Sequence, residues 1–486
     1  MSTAAWTFLA RIWPHVVAVS LLALAAVASA HAVLTKRDSR SVIGWVGLIW
    51  LAPLVGSVLY VLLGINRIHR RAHTLRGARL RVLHDEKQGD ASSEVLARAL
   101  PPEARHLTSL ARLVHELTGM PPVAGNRLTP LFNGEQAYPA MLEAIDSASH
   151  TLAFSTYIFS NGDTGKRFVE ALARAVNRGV EVRVLIDDIG ARYSRPSIVP
   201  ALRRAGVPVA RFLPALLPIK LPYFNLRNHR KLLIADGKVA FTGGMNIQET
   251  AHFRFEREGI QDLHCRIEGP VVAHLQHVFA DDWKFTTGES LKRELWFPEI
   301  HPQGDAVARG ISDGPDDGSD TLRLATLGAL ACARSSVRIV TPYFLPDDAL
   351  INALNVAAMR GVVVDILLPA RNNLRMVQWA STALLWQLLE RGCRIWLSPP
   401  PFDHSKVLVV DHAWSLLGSS NWDPRSFRLN FEFDLECYDP VLARTLESLI
   451  EAKLGAAMPL TLAQVNGRSL PVRLRDGVAR LFTPYL

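Results

Sequence analysis

Two stretches near the N-terminus depart from the mixed polar and apolar pattern of the rest of the chain. From Ile12 to Leu34, and again from Val42 to Ile65, there is no Asp, Glu, Lys or Arg. Each run exceeds the roughly 20 residues that a helix needs to cross a hydrocarbon core. The pattern therefore predicts a hairpin of two membrane-spanning helices joined by the polar turn TKRDSRS. Trp45, Trp50 and Tyr60 lie toward the ends of the second run, where interfacial aromatics are common. The first run ends in ASAHA, which could also pass for a signal-peptidase site. It is long for such a segment, and the second run would anchor the chain even after cleavage. Arg67, Arg70, Arg71, Arg76, Arg79 and Arg81 follow the second run. They favour a cytoplasmic position for everything after it, against the smaller opposing group Lys36, Arg37 and Arg40. The arginine cluster would also lie against an anionic leaflet.

Beyond a polar linker and the amphipathic segment ARHLTSLARLVHELTG, the periodicity changes and then repeats. AIDSASHTLAFSTYIFS leads into GKRFVEALARAVNRGVEVRVLIDD, and ALACARSSVRIVTPYFLP leads into DALINALNVAAMRGVVVDILLPA. Both read helix, strand, helix, strand, with β-branched strand residues and an Arg-Gly pair closing the second helix. RAGVPVARF and RGCRIWLSP supply a third strand in each copy. Alternating strands and helices imply an α/β sandwich in each half. The expected organisation is a transmembrane hairpin over 1–70, a linker with an amphipathic helix over 71–125, and lobes over 126–300 and 301–486. Two lobes from one duplication tend to pack about a pseudo-two-fold axis.

Each copy ends in the same short pattern, HRKLLIAD at 229–236 and HSKVLVVD at 404–411. Read as strands, residues two apart share a face, so His229 and Lys231 point together, as do His404 and Lys406. Asp236 and Asp411 have the opposite parity and are expected to brace the fold. Asn246 and Asn421 follow ten residues later, after the turn-like stretches GGMN and GSSN, from which an Asn can return to the His–Lys face. One such motif is an ordinary half-buried strand. Two, at equivalent places of a repeat and with matching offsets, point to one shared site.

Composition narrows the chemistry. The chain has 486 residues, 49% hydrophobic and 20% charged, which excludes a disordered chain. Its net charge of +9 suits an anionic partner, nucleic acid or acidic lipid. Cys265, Cys332, Cys393 and Cys437 are scattered and read as small apolar fillers. His274 and His277 lack a carboxylate or cysteine at ligand spacing. No metal or other cofactor is expected. Two imidazoles, two ammonium groups and two amides suit a phosphodiester. The Lys and Asn side chains stabilise charge on the non-bridging oxygens. One His attacks phosphorus while the other protonates the leaving alcohol, which explains the need for two.

These residues resemble the paired HKD motifs of the phospholipase D superfamily. The whole arrangement is similar to bacterial cardiolipin synthases of the two-spanning type. WLAPLVGSVLYVLLGINRIHRRA, YIFSNGDTGKRFVEAL, HRKLLIADGKVAFTGGMNI, IVTPYFLPDDAL and SNWDPRSFRLNFE carry that likeness. The resemblance implies His229, Lys231, Asp236, His404, Lys406 and Asp411 as the catalytic set, with His229 the nucleophile and His404 the general acid/base. It implies transfer of a phosphatidyl group between two phosphatidylglycerols, giving cardiolipin and glycerol at a bacterial inner membrane. Glu432 and Asp262, on the strands after each motif, are the candidates to orient the histidines. The apolar, proline-broken stretch 212–228 reads either as packed loop or as a lip dipping into the lipid interface. Water or another headgroup as acceptor remains open, which would make the protein a phospholipase D-type hydrolase or transphosphatidylase. A nuclease has no use for the hairpin, and a non-catalytic scaffold has none for intact motifs.

Overall fold

The computed structural model describes residues 3–36, 39–65, 95–214, 226–249, 259–315 and 320–483. The arginines at 67–81, residues 215–225 of the expected lip, and 71–94 of the linker lie outside them. The chain divides into an N-terminal helical unit and a large α/β unit.

In the helical unit, Thr3–Thr35 forms one helix, and its Ile12–Thr35 part is long and apolar enough to cross a membrane. Among the described residues no second helix meets that test. The run expected to be one span over 42–65 is built instead as Ser39–Leu51, then Pro53–Leu59, then a π-turn over Tyr60–Gly64. Pro53 causes the break. It has no N–H to continue the ladder, and it pushes Ala52 out of the helical region, to φ −142° and ψ 80°. Ala25, Ala28 and Ala32 pack with Ile49 and Tyr60, small side chains letting the helices approach. Tyr60, expected among the interfacial aromatics, packs between the helices. It is buried, with its hydroxyl 2.7 Å from His31 Nδ1 and its ring 5.4 Å from that of Trp45.

The α/β unit contains β1 (Val123–Phe132), β2 (Thr151–Thr156), β3 (Glu181–Asp187), β4 (Val209–Phe212), β5 (Arg227–Asn228), β6 (Leu232–Ala235), β7 (Val239–Gly243), β8 (Ile260–Gln261) and β9 (Leu263–Glu268). Its second half contains β10 (Ala306–Asp313), β11 (Ser336–Val340), β12 (Val363–Pro369), β13 (Arg394–Ser398), β14 (Phe402–Asp403), β15 (Val407–Val410), β16 (Trp414–Gly418), β17 (Asn430–Tyr438) and β18 (Met458–Leu460). One sheet path runs β18-β13-β12-β11-β15-β16-β17-β10-β1-β9-β7-β6-β2-β3-β4. Read outward from the β1–β10 pair, the order is β9-β7-β6-β2-β3-β4 on one side and β17-β16-β15-β11-β12-β13 on the other. The duplication seen in the sequence is thus a duplication of topology.

Within each half the βαβ crossovers follow the expected signals. The helices Asp163–Asn177 and Asp348–Met359 end at Gly179 and Gly361, with φ of 86° and 92°. Val180 N–H then donates to Ala175 O, and Val362 N–H to Ala357 O, closing the last turn. Period-2 alternation divides the cores. Leu232, Ile234, Val407 and Val409 enter a central core shared by both halves, while Leu233 and Ala235, or Leu408 and Val410, enter separate outer cores. Burial on both faces explains why these strands are continuously apolar. The shared core holds the halves as one body, which is what a site divided between them needs.

The helix Thr108–Thr118 packs on the outer core of the second half through Leu110, Ala111 and Val114. His274 is buried and accepts a hydrogen bond from Gly310 N–H at 3.2 Å, and the ring of His277 lies 4.5 Å from that of Phe297. The four cysteines are free thiols, three of them buried.

Candidate active site

The repeated motifs form hairpins with three-residue loops. β6 pairs with β7 from Ala235↔Val239, and β15 with β16 from Val410↔Trp414. Asp236 and Asp411 open those loops at φ of 52° and 50°, a left-handed conformation that Asp tolerates. Their carboxylates turn back onto backbone. Asp236 accepts N–H bonds from Ser149, His150 and Thr151 at 2.7–3.2 Å. Asp411 accepts them from Arg334, Ser335 and Ser336 at 2.7–3.1 Å. Each carboxylate therefore fastens the entry to a parallel strand at the far end of its hairpin from the histidine.

Burial alone would raise the Asp411 carboxyl, but the N–H bonds outweigh it and hold the group below its ordinary value. Asp411 carries two side-chain partners that Asp236 lacks among the described residues, Ser335 Oγ at 2.9 Å and His106 Nε2 at 2.7 Å. Asp411→Ala removes the shared acceptor of these donors, of which Ser336 N–H is buried, and is expected to cost about 2 kcal/mol of folding stability, read by thermal unfolding. The carboxylate's contribution is full above its unfolded-state pKa of roughly 3.9 and is lost as pH falls through the lower folded value. The gap between variant and wild type should therefore close in acid.

The other ends of the hairpins meet at the seam. β5 pairs in parallel with β17, Arg227 beside Asn430 and Asn228 beside Phe431, and His229 N–H donates to Phe431 O at 2.9 Å. β14 pairs in parallel with β8, Phe402 beside Ile260 and Asp403 beside Gln261, and His404 N–H donates to Gln261 O at 2.7 Å. The register carries each histidine onto a carboxylate of the opposite half. His229 Nδ1 is 2.9 Å from Glu432 Oε2, and His404 Nδ1 is 2.8 Å from Asp262 Oδ2. A carboxylate accepts, so Nδ1 carries the hydrogen and Nε2 presents the lone pair.

Both acids are themselves held. Glu432 accepts from Ser419 Oγ at 2.5 Å and Asn430 Nδ2 at 3.1 Å. Asp262 accepts Leu263 N–H at 2.8 Å, and its own N–H donates to Asn133 Oδ1 at 3.0 Å. Gly244 lies against the Asp262 carboxylate, where a Cβ would collide with it, which gives the GGMN turn its need for glycine.

Lys231 and Lys406 donate from Nζ to the carbonyls of His229 and His404, each at 2.5 Å. Burial lowers Lys231 to about 7, with Glu432 opposing and Lys406 reinforcing the shift. Burial lowers Lys406 to about 8, opposed by Asp262 and Glu432. His229 is pushed well below its ordinary value, by burial first and then by Lys231, Lys406 and His404. His404 is lowered by burial and Lys406, with Asp262 pulling the other way. Burial raises Glu432 against the attraction of Lys231. Asn246 Oδ1 accepts Ile158 N–H at 3.1 Å, and the buried Asn421 Oδ1 has no hydrogen-bond partner among the described residues. The lysines and histidines each lower the proton affinity of the others, and an anion placed between them would stabilise their charged forms.

A family model described as cardiolipin synthase, PLD-like domain, matches residues 141–283 and 327–454, once in each half. The chain belongs to the cardiolipin synthase family of phospholipase D-like proteins. It is 31% identical over 461 residues to a cardiolipin synthase of Alkalihalophilus pseudofirmus, covering 93% of this chain and 90% of that one. It is 32% identical over 464 residues to cardiolipin synthase A of Pseudomonas fluorescens, covering 95% and 96%. Among solved structures, phosphatidylserine synthase of Haemophilus influenzae matches with a TM-score of 0.60 at 16% identity, over 78% of this chain and all of that one. It shares the fold.

Within this cardiolipin synthase-like frame, several site residues escaped sequence reasoning. The ring of Tyr157 stands edge-on to His229 at 5.2 Å and under Lys231 Nζ at 5.6 Å. Tyr343 holds the corresponding post 6.2 Å from His404. The two aromatics lie just after β2 and β11, in STYIFS and TPYFLP, and that shared position was the available signal. β17 also aligns Glu432, Asp434 and Glu436 on one face, all buried. Asp434 bonds Ser420 and is raised by burial to about 7, whereas Glu436 pairs with Arg309. Alternation along NFEFDLECY could have shown that three acids point inward together.

Proposed function

We propose that the protein is a cardiolipin synthase that transfers a phosphatidyl group from one phosphatidylglycerol to a second through a phosphohistidine. The observation that carries the reading is the crossed pairing of His229 with Glu432 and His404 with Asp262, one imidazole from each half with Nε2 presented and a lysine beside each. In the first step the Nε2 lone pair of His229 attacks phosphorus, and the bond from phosphorus to the glycerol oxygen breaks. His404 gives its Nε2 proton to that oxygen, and glycerol leaves. In the second step neutral His404 takes the proton of the acceptor's terminal hydroxyl. The hydroxyl oxygen attacks phosphorus, the phosphorus–nitrogen bond breaks, and cardiolipin departs with His404 protonated again.

The depressed pKa of His229 keeps the nucleophile unprotonated. The phosphodiester anion offsets the repulsion of the lysines and so restores the proton that His404 needs. Lys231, Lys406, Asn246 and Asn421 stabilise the non-bridging oxygens of the five-coordinate transition state. Asp236 and Asp411 act through the hairpin backbone.

Phosphatidylglycerol and other anionic phospholipids are the proposed partners, with no role for nucleic acid. The hairpin over 1–70 is proposed to cross a bacterial inner membrane twice, the kinked second segment included. The linker over 71–125 and the lobes over 126–300 and 301–486 are proposed to face the cytoplasm. Purified protein given labelled phosphatidylglycerol should release glycerol and form cardiolipin in equal amounts. Phosphatidic acid as the sole lipid product would instead make the enzyme a hydrolase.

A further inference from the structure

The helix Leu470–Leu481 turns its apolar side outward. Leu470, Leu474, Val478 and Leu481 are 66%, 60%, 55% and 76% exposed, too open to belong to a core. At 100° per residue these four fall within an arc of roughly 80°. The opposite arc holds Asp476 and Ala479, both buried. That inner face is complete without the stripe. Asp476 pairs with Arg468 and with Arg475 at 2.7 Å, and the Arg475 guanidinium lies 4.5 Å over the Trp379 ring of helix Arg375–Thr382.

Arg473 and Arg480 are exposed along one border of the stripe and Arg475 along the other, and the one acid of the helix is the buried Asp476. The adjoining helix begins with exposed Leu374 and Met376 beside exposed Arg371 and Arg375.

A helix facing water alone carries polar residues on its open side. An apolar stripe bordered by arginines, with no exposed carboxylate, matches instead the layered chemistry of an anionic lipid interface, acyl boundary in the middle and phosphates at the edges. We propose that Leu470–Leu481 is an interfacial docking helix that lies in the plane of an anionic bilayer and holds the α/β unit on the surface supplying its substrate. The proposal rests on the reading of the enzyme as one that acts on bilayer phosphatidylglycerol.

The test uses the full-length chain reconstituted in vesicles, with Cys332→Ser and Leu474→Cys labelled by an environment-sensitive fluorophore. Vesicles containing phosphatidylglycerol should shift the emission to the blue and shield the label from an aqueous quencher, whereas a label at exposed Glu170→Cys stays water-like. A water-like label at 474 in those vesicles overturns the proposal. So does a disulfide between two Leu474→Cys copies, which would show a second chain covering the stripe.

Turnover gives an independent arm. Leu474→Asp combined with Val478→Asp should lower kcat/KM on vesicular phosphatidylglycerol about tenfold, while turnover of a short-chain, monomerically dissolved phosphatidylglycerol stays at the wild-type rate. Equal loss on both substrates contradicts docking and indicates damage to the fold. The fluorescence does not depend on turnover. A wild-type protein that makes no cardiolipin would therefore sink the functional reading without deciding this one.

Discussion

His404→Ala should accept a phosphatidyl group from an activated donor and then stall, whereas His229→Ala should not accept one at all. With phosphatidylglycerol both variants are expected to lose at least about a thousandfold in kcat, because one lacks the nucleophile and the other the proton donor. A phosphatidyl donor carrying p-nitrophenol separates the roles. Nitrophenolate leaves without a proton, so His404→Ala should show a burst of one equivalent and an acid-labile adduct on His229. In His229→Ala no burst is expected. The opposite pattern would make His404 the nucleophile, which the near symmetry of the halves allows on geometry alone. No burst in either variant rules out the covalent route. The present assignment is the one the family resemblance implies, and the lowering of His229 by burial and by Lys231, Lys406 and His404 agrees with it.

The second large effect concerns the lysines. Lys406→Met should reduce kcat/KM by roughly a hundredfold or more, since a positioned cation at the developing phosphorane charge is removed from a buried site. The wild-type enzyme offers a matching titration. Burial lowers Lys231 to about 7 and Lys406 to about 8, so raising pH through that window removes their protons. Affinity for an unreactive phosphonate analogue of the lipid, measured by competitive inhibition, should then fall as pH rises. The two groups interact, so the limb reports the pair. Lys406→Arg should retain binding to higher pH, because guanidinium stays charged. Affinity that is flat from pH 6 to 9, as roughly expected of lysines near their ordinary pKa, would contradict the buried geometry.

Much of this site was legible in the chain because duplication makes chance a poor explanation. HRKLLIAD and HSKVLVVD sit at equivalent places of a repeat, and the parity of a strand is enough to separate His229 and Lys231 from Asp236. The α/β order was legible for a similar reason, since Arg178-Gly179 and Arg360-Gly361 end helices at the same step of each copy. Glu432 and Asp262 could be nominated as orienting acids. Which histidine each one serves could not be read, because that depends on parallel pairings between chain segments about 140–200 residues apart, β14 with β8 and β5 with β17.

Local pattern did not show that the second apolar run is broken into shorter helical pieces. Hydropathy counts residues and is blind to what Pro53 does to the backbone preceding it, or to the hydrogen bond that draws Tyr60 inward to His31.

The sequence by itself determined the parts: an apolar N-terminus, a twice-used α/β unit, and two His–Lys pairs whose side chains share a face. Periodicity and repetition are local properties, and they survive without any knowledge of contacts. Only the tertiary structure decided that each histidine is oriented by the other half, that Asp411 but not Asp236 takes His106 as a partner, and that Leu470–Leu481 shows its apolar side to the outside. These outcomes depend on which surfaces the shared core brings together and which it leaves uncovered. An amphipathic sequence specifies that a helix has two faces, and packing alone selects the one that is buried.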